Sequence, residues 1–388
     1  MDIEFSPEQK TFRRELRNWL QENLPDDWGG PAFLGPDDED ENARLQADWE
    51  RKLYRSGYQG VAWPKEYGGQ GLTMVEQLIV SEELGRRAAP EGINTIGKEL
   101  VGPIILAAGT EEQKKHYIPR ILNVDDIWCQ GFSEPGAGSD LAGVKTRAVR
   151  EGDEWVINGQ KVWTSFAFHA NWCILLARTN PDVSKHKGLT LFLVDMKTPG
   201  IKVKPLIQIT GKQEFNEVFF DDVRIPADMH VGAVDDGWNV AVNLLGYERA
   251  TARLYRQARF TNEMEQLLRK LSEHRPDILD DAHYRQQIGR LHADLNILRL
   301  MNLRLVSRIS NGDGIGSEAS VIKLFWSEMH QRFEDFAAEV LGPEFMTDSA
   351  GVERFRYNFL QSRAVTIYAG TSQVQRNIIS ERMLGLPR

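Results

Sequence analysis

Gly131-Phe132-Ser133-Glu134-Pro135-Gly136-Ala137-Gly138-Ser139-Asp140, running on through Leu141-Ala142-Gly143-Val144-Lys145-Thr146, is the stretch from which the rest of the chain is best read. Glycines on either side of Ala137, beside Pro135 and Ser139, make a tight loop rich in free backbone N–H groups and hydroxyls. Such a loop suits a phosphate or the polar edge of a heterocycle. A plain surface turn has the same composition, because Gly, Pro and Ser are common turn formers. No strand–GxGxxG–helix unit surrounds it, so it is not a Rossmann fingerprint.

The loop sits where the texture of the chain changes. From about Asp126 to Gly232 the pattern is short and β-rich. Glu154–Ile157, an Asn158-Gly159 pair and Lys161–Trp163 read as a hairpin. Leu189–Val194, Ile201–Val203 and Val218–Phe220 continue in the same style. Upstream the chain is helical. Ser6-Pro7 is an N-cap followed by Pro at the first helical position, ahead of a stripe of Phe12, Leu16, Trp19 and Leu20. Pro25 to Pro36 is a break, a second helix carries Leu45, Trp49, Leu53 and Tyr54, and Trp63–Gly69 is loop. Further helices cover Met74–Leu84 and Thr110–Leu122, the latter with Gln113 completing a capping box. After Gly237 the helical period holds to Arg382, broken at Pro276, Gly312–Gly316 and Gly342-Pro343. The fold class is therefore α+β, mainly α: an N-terminal helical domain over 1–125, a central β-domain over 126–232 and a C-terminal helical bundle over 233–388.

Composition narrows the function. The 388 residues are 41% hydrophobic with a net charge of −9, which argues against nucleic-acid partners, since phosphate backbones are bound by clustered Lys and Arg. Asp37 to Glu41 reads as a solvated acidic loop without the ligand spacing of a calcium site. Cys129 and Cys173 sit in apolar surroundings and read as buried reduced thiols. No run reaches the ~18 apolar residues that span a bilayer, and MDIEFSPEQ lacks the basic and apolar regions of a signal peptide. The expectation is a cytoplasmic protein that does not bind membranes. The eight histidines show no HxH or HxxxH spacing for zinc, and neither Ser133 nor Ser139 sits in a nucleophile elbow.

Three motifs in register carry a resemblance: GFSEPGAGSDLAGVKT, then INGQKVWTS, then YAGTSQVQRNIISERMLG near the C-terminus. Their order, their spacing and the helix–β–helix texture resemble the acyl-CoA dehydrogenase family over essentially the whole chain. The resemblance implies an N-terminal helical domain, a β-barrel-like middle domain and a four-helix bundle, with FAD between the last two and completed by a neighbouring subunit. Phe132 and Ser133 then stand where the family contacts the flavin pyrimidine edge. Trp163 matches the aromatic packed on the isoalloxazine, and Ser165 the hydroxyl near N5. Thr371 and Gln373 match dinucleotide contacts, Ser139 a contact to the CoA portion, and Tyr368 and Arg249 flank the substrate. A neutral isoalloxazine wants an apolar face and a few fixed donors. An ordinary core tryptophan is the competing reading of Trp163.

The family reaction removes an α-proton with a carboxylate while flavin N5 takes the β-hydride. Medium- and short-chain members supply that base from Tyr-Glu-Gly-Thr. Here the motif is Tyr368-Ala369-Gly370-Thr371, and the usual base is absent. Isovaleryl- and long-chain-type members use a Glu-Arg pair on the first bundle helix, matched by Glu248-Arg249. On a helix Glu248 shares an apolar stripe with Ala241, Leu244, Leu245, Ala252 and Tyr255. Burial there raises a carboxyl pKa toward neutrality, where a general base works best. A structural ion pair is the alternative for such a residue. The Ala369 backbone N–H inherits the family's donor to the thioester oxygen. Alanine in place of glutamate also opens space for a bulky, branched or ring-bearing acyl group.

The expected activity is FAD-dependent dehydrogenation of an acyl-CoA to its trans-2-enoyl-CoA, with an electron-transferring flavoprotein as acceptor. The assembly would be a homotetramer or dimer. An Arg-x-x-Phe-Gly motif is missing after Arg259, and Leu341-Gly342-Pro343 replaces the family's double glycine. Either other residues make the interface contacts, or the chain contributes fewer than usual, which would fit a heterotetramer with a homologous chain. The alternatives are a flavin monooxygenase or oxidase on the same fold, or a non-catalytic partner subunit.

Overall fold

In the computed structural model, residues 4–25, 28, 35–242, 254–347 and 351–387 are described. In chain order the helices before the sheet are α1 (Pro7–Asn23), α2 (Glu39–Arg55), α3 (Met74–Arg86), α4 (Gly102–Ala108) and α5 (Glu111–Leu122). The strands are β1 (Trp128–Gly131), β2 (Arg147–Glu151), β3 (Glu154–Ser165), β4 (Trp172–Arg178), β5 (Leu189–Asp195), β6 (Ile201–Leu206), β7 (Phe215–Pro226) and β8 (His230–Val231). Then follow α6 (Leu254–His274), α7 (Pro276–Asp280), α8 (Ala282–Ser310), α9 (Glu318–Leu341), α10 (Glu353–Val365) and α11 (Ser372–Ile378).

These elements form two compact units. One comprises Met1–Pro36, Leu72–Pro90 and Arg249–Arg388; the other Asp37–Gly71 and Glu91–Glu248. Helices α1 and α3 thus join the bundle helices, whereas α2, α4 and α5 join the sheet.

The sheet unit is built on eight strands in the order β6-β7-β3-β2-β4-β5-β8, with β1 paired in parallel to β4. Strand β4 shows why both sheet faces are covered. Its Ile174 and Leu176 pack with Leu100, Ile104 and Ile118 from the helical side. The alternate residues Cys173, Leu175 and Ala177 pack with Trp155, Phe192, Val218 and Phe220. With a side-chain period of two, a strand buried on both faces reads as continuously apolar. Both cysteines are free and buried, as read from their surroundings.

Two sequence readings need correction here. Asn158-Gly159 is not a hairpin turn. It lies inside the continuous strand β3, which pairs with β2 and with β7 and slips register against β7 at Ile157/Gly159. The Asn158 amide is engaged sideways by Asp222, through bonds of 2.9 and 3.0 Å. A Cβ on Gly159 would strike Thr146, just ahead of the neighbouring strand β2, so this glycine serves close strand approach rather than a turn. The acidic run is likewise not a loop. Asp38 caps α2 by accepting from the Glu41 N–H at 2.8 Å, and the acids that follow occupy the first turn, where the helix dipole favours them.

The helical unit opens with the expected capping box: Ser6 accepts from the Gln9 N–H at 3.2 Å and Gln9 reaches back at 3.0 Å. Arg13 and Arg17 of α1 bond Glu82 and Glu83 of α3 at 2.6 and 2.7 Å. Gly85 lets α3 approach α6, since a Cβ there would lie 2.5 Å from the Tyr255 carbonyl oxygen. The bundle core is apolar around Trp326, Phe333, Phe336 and Leu267 but holds a polar cluster. His330 Nε2 lies 3.2 Å from Glu334 Oε1, and Asn358 donates to Glu263 at 3.1 Å. Burial pushes the Glu334 carboxyl well up, with Glu263 adding to it, and pushes the His330 imidazole well down. Both shifts favour the neutral form of the group. Among the described residues no helix is long and apolar enough to cross a membrane.

Candidate functional site

In the sheet unit the Gly131–Thr146 loop follows β1. Its first residues are fastened to β3. The Phe132 ring is buried in the core, and its carbonyl accepts from Lys161 Nζ at 2.9 Å. The Ser133 carbonyl accepts from the Val162 N–H at 2.9 Å. Glu134 and Ala137 exchange backbone bonds of 2.9 and 3.0 Å across Pro135-Gly136. The Glu134 carboxylate then accepts the Lys145 and Thr146 N–H groups at 2.7 and 2.8 Å, and Lys161 Nζ at 2.9 Å. Burial would raise the Glu134 carboxyl, but the Lys161 charge and these bonds outweigh it and hold the group below its ordinary value. Lys161 itself is 0% exposed. Desolvation takes its ammonium down to about 8 against the opposing pull of Glu134.

Trp163 and Ser165 lie at the end of β3. The strand slips register against β7 between Lys161 and Thr164, and Trp163 there takes φ +60°. For an aromatic residue this left-handed conformation is uncommon and costs about 1 kcal/mol or more. It leaves Trp163 60% exposed, with Phe215 6.0 Å away at its edge. Trp163 is therefore not a core tryptophan. Among the described residues no group bonds the Ser133 or Ser165 hydroxyl. Ser139 is exposed on the outer part of the loop. Beside it, Asp140 pairs with Lys185 at 2.8 Å, and Arg178 donates to the Ala142 carbonyl at 2.6 Å.

In the helical unit, Tyr368-Ala369-Gly370 turns between α10 and α11. Ala369 sits at φ +55° and Gly370 at φ +87°. Two buried side chains hold this turn: Lys323 Nζ donates to the Gly370 carbonyl at 2.7 Å, and Gln375 Nε2 to the Ala369 carbonyl at 2.8 Å. With its carbonyl so engaged, the Ala369 N–H meets no acceptor among the described residues. The Tyr368 hydroxyl accepts from Arg256 at 3.4 Å, and that guanidinium lies 4.5 Å over the Trp326 ring. Thr371 caps α11 by accepting from the Val374 N–H at 3.1 Å, and Gln373 is exposed on its first turn.

Phe132, Ser133, Trp163 and Ser165 are thus brought together by the Val162–Ser133 and Lys161–Phe132 bonds. Tyr368, Ala369, Thr371 and Gln373 share one turn and one helix start. Glu248 and Arg249 lie outside the described residues. The sequence reading missed the side chains that hold these backbones: Lys161, Glu134, Lys323 and Gln375. The lysine beside Val162-Trp163 in β3 was an available signal, because burial of Lys demands a partner.

Models of the acyl-CoA dehydrogenase N-terminal, middle and C-terminal domains match residues 6–125, 129–223 and 235–384. The acyl-CoA dehydrogenase IpdE1 of Mycobacterium tuberculosis is 41% identical over 381 residues, covering 97% of each chain. A solved structure titled "Tcur3481-Tcur3483 steroid ACAD" is 30% identical with a TM-score of 0.88 and full coverage of both chains, 100% each. The ChsE4-ChsE5 complex from Mycobacterium tuberculosis is 31% identical with a TM-score of 0.84, again covering 100% of each chain. With all three domain models matched in order along it, this chain belongs to the acyl-CoA dehydrogenase family and is an oxidoreductase.

Proposed function

We propose that the chain catalyses the FAD-dependent α,β-dehydrogenation of an acyl-CoA thioester to the trans-2-enoyl-CoA, on a ring-bearing or otherwise bulky acyl group. The observation that carries this reading is the Ala369 turn. Its backbone N–H meets no acceptor among the described residues, is held in a left-handed conformation by Gln375 and Lys323, and stands where the family places the donor to the thioester oxygen. A preorganised donor aimed at developing negative charge lowers the barrier without reorganisation.

The residues at the end of β3 fit a flavin ring. Trp163 offers an exposed aromatic face, and the Ser133 and Ser165 hydroxyls bond no group among the described residues. In this reading Phe132 and Ser133 hold the pyrimidine edge, Trp163 covers the ring, Ser165 donates beside it, and Thr371 and Gln373 hold the dinucleotide. When bound, FAD supplies the acceptor for the β-hydride. Ser139 contacts the CoA portion, with Tyr368 and Arg249 beside the acyl chain. Glu248 takes the α-proton as general base. Segments 1–125, 126–232 and 233–388 are the domains this reading assigns.

The ring-bearing substrate is supported by the small side chain of Ala369 and by the steroid named for the similar solved structure. Assembly with a homologous second chain is supported by the two-component ChsE4-ChsE5 complex. An electron-transferring flavoprotein is the proposed acceptor. The test is an anaerobic titration of the purified yellow protein with straight, branched and polycyclic acyl-CoAs, read near 450 nm, with Glu248→Gln in parallel. Bleaching of the wild-type flavin by a bulky thioester, with the variant staying oxidised, is the expected result. Equal bleaching of both proteins would remove Glu248 as the base, and no bleaching by any thioester would overturn the reaction.

A further inference from the structure

We propose that Lys161 is the positioning residue of the cofactor loop. Its buried ammonium ties the loop carrying Phe132 and Ser133 to the strand carrying Trp163 and Ser165, so that the two sets of flavin contacts hold one geometry. The inference rests on the FAD reading above and deepens it.

The geometry is specific. Lys161 stands at the point of β3 just before the register slip that turns Trp163 outward. Its Nζ bonds two groups of the loop at once, the Phe132 carbonyl and the Glu134 carboxylate, each at 2.9 Å. The next residue, Val162, donates its N–H to the Ser133 carbonyl at 2.9 Å. Three consecutive loop residues are therefore fixed by two consecutive strand residues. Glu134 extends the tie to the far end of the loop through the Lys145 and Thr146 amides, at 2.7 and 2.8 Å. A fully buried lysine is costly unless charged and paired. Among the described residues the three ammonium donors have two acceptors, and neither of these side-chain bonds belongs to the sheet ladder. Gly131, the last residue of β1, lies against the same site: a Cβ there would crowd Cys173 Sγ and Leu175 Cδ1 of β4 at 3.0 Å and touch the lysine stem at an ordinary 3.5 Å. The titratable and charged groups facing the ammonium are Glu134 on the loop and Cys173 on β4, and Glu134 also acts on Arg178 of β4.

Because the tie depends on the ammonium, it weakens when the lysine loses its proton. Desolvation has brought that event down to about 8, within a working pH range. Flavin retention should therefore fall as pH rises through that value.

The experiment measures FAD binding to the apoprotein by flavin fluorescence from pH 6.5 to 9.5, for wild type, Lys161→Met and Glu134→Gln, with apoprotein melting temperatures alongside. The loss of a buried charged hydrogen bond corresponds to about ten- to hundredfold weaker FAD binding by Lys161→Met at pH 7. The wild-type affinity should decline above pH 8 and the variant's should be flat. Glu134→Gln keeps an acceptor without the charge and carries the same test with a smaller loss, about three- to tenfold, should Lys161→Met fail to fold. A purely structural role would lower the melting temperature yet leave affinity and its pH profile unchanged, and that outcome overturns the proposal. If wild-type apoprotein takes up no FAD at any pH, the FAD reading falls first and this inference with it.

Discussion

Replacing Glu334 with glutamine should make the helical unit more stable at alkaline pH. Glu334 is 0% exposed and lies 3.2 Å from His330, itself 5% exposed. Desolvation raises the Glu334 carboxyl well above its ordinary 4.5, with Glu263 acting in the same direction against Arg363, Arg259 and Arg354. The sign follows from linkage. In the unfolded chain the carboxyl loses its proton near 4.5, whereas in the fold it keeps it to higher pH. The folded state thus binds more protons at neutral pH, and stability falls as pH rises toward the folded pKa. His330 works the other way. Burial lowers it well below 6.5, so its contribution is present above that value and is lost as pH falls. Well above pH 6.5 the imidazole is neutral in both states, and of this pair only Glu334 still contributes a pH dependence. One proton is worth about 1.4 kcal/mol for each pH unit over which only the folded state keeps it, so up to about 3 kcal/mol over two such units. For a unit of this size that is roughly 5 to 10 °C in melting temperature. Scanning calorimetry of wild type and Glu334→Gln above pH 6.5 is the assay, with the gap widening in favour of the variant as pH rises. Parallel melting curves for the two proteins would refute the neutral buried carboxyl.

Three further outcomes follow from the geometry. Gly370→Ala places a Cβ against Gln375 Nε2 at φ +87°, which should cost about 1 to 3 kcal/mol; it should lower thioester affinity along with the melting temperature. Glu50 is 0% exposed, accepts from the Asn94 N–H at 2.9 Å and pairs with Lys98, so Glu50→Ala should destabilise the sheet unit by about 3 to 5 kcal/mol in urea unfolding. Trp163→Ala removes a side chain that is 60% exposed, and melting of the apoprotein should change by no more than roughly 0.5 kcal/mol. FAD affinity should fall far more than that, and an equal loss of both would argue for a packing role.

The order of helices and strands was readable because it depends on local terms. The capping boxes at Ser6 and Thr110, the breaks at Pro276 and Gly342, and the apolar runs of β4 and β5 lie within a few residues of the groups they order. Sequence patterns therefore placed the mainly helical α+β fold and the three motif segments. The hairpin reading at Asn158-Gly159 failed because a turn signal and a glycine needed for strand approach look alike until Thr146 is placed beside it. The acidic run beginning at Asp37 failed for a related reason, since an N-cap with acids behind it shares its composition with a solvated loop. Only tertiary structure decided that α1 and α3 belong with the bundle helices while α2, α4 and α5 pack on the sheet, because that choice is made by apolar faces meeting partners far away in the chain. It also decided that Trp163 is turned out of the core, that Lys161 is clamped between Phe132 and Glu134, and that Lys323 and Gln375 hold the Ala369 turn. Sequence names the groups that carry charge or donate hydrogen bonds; burial and the direction of each bond, which set what those groups can do, exist only once distant segments have packed together.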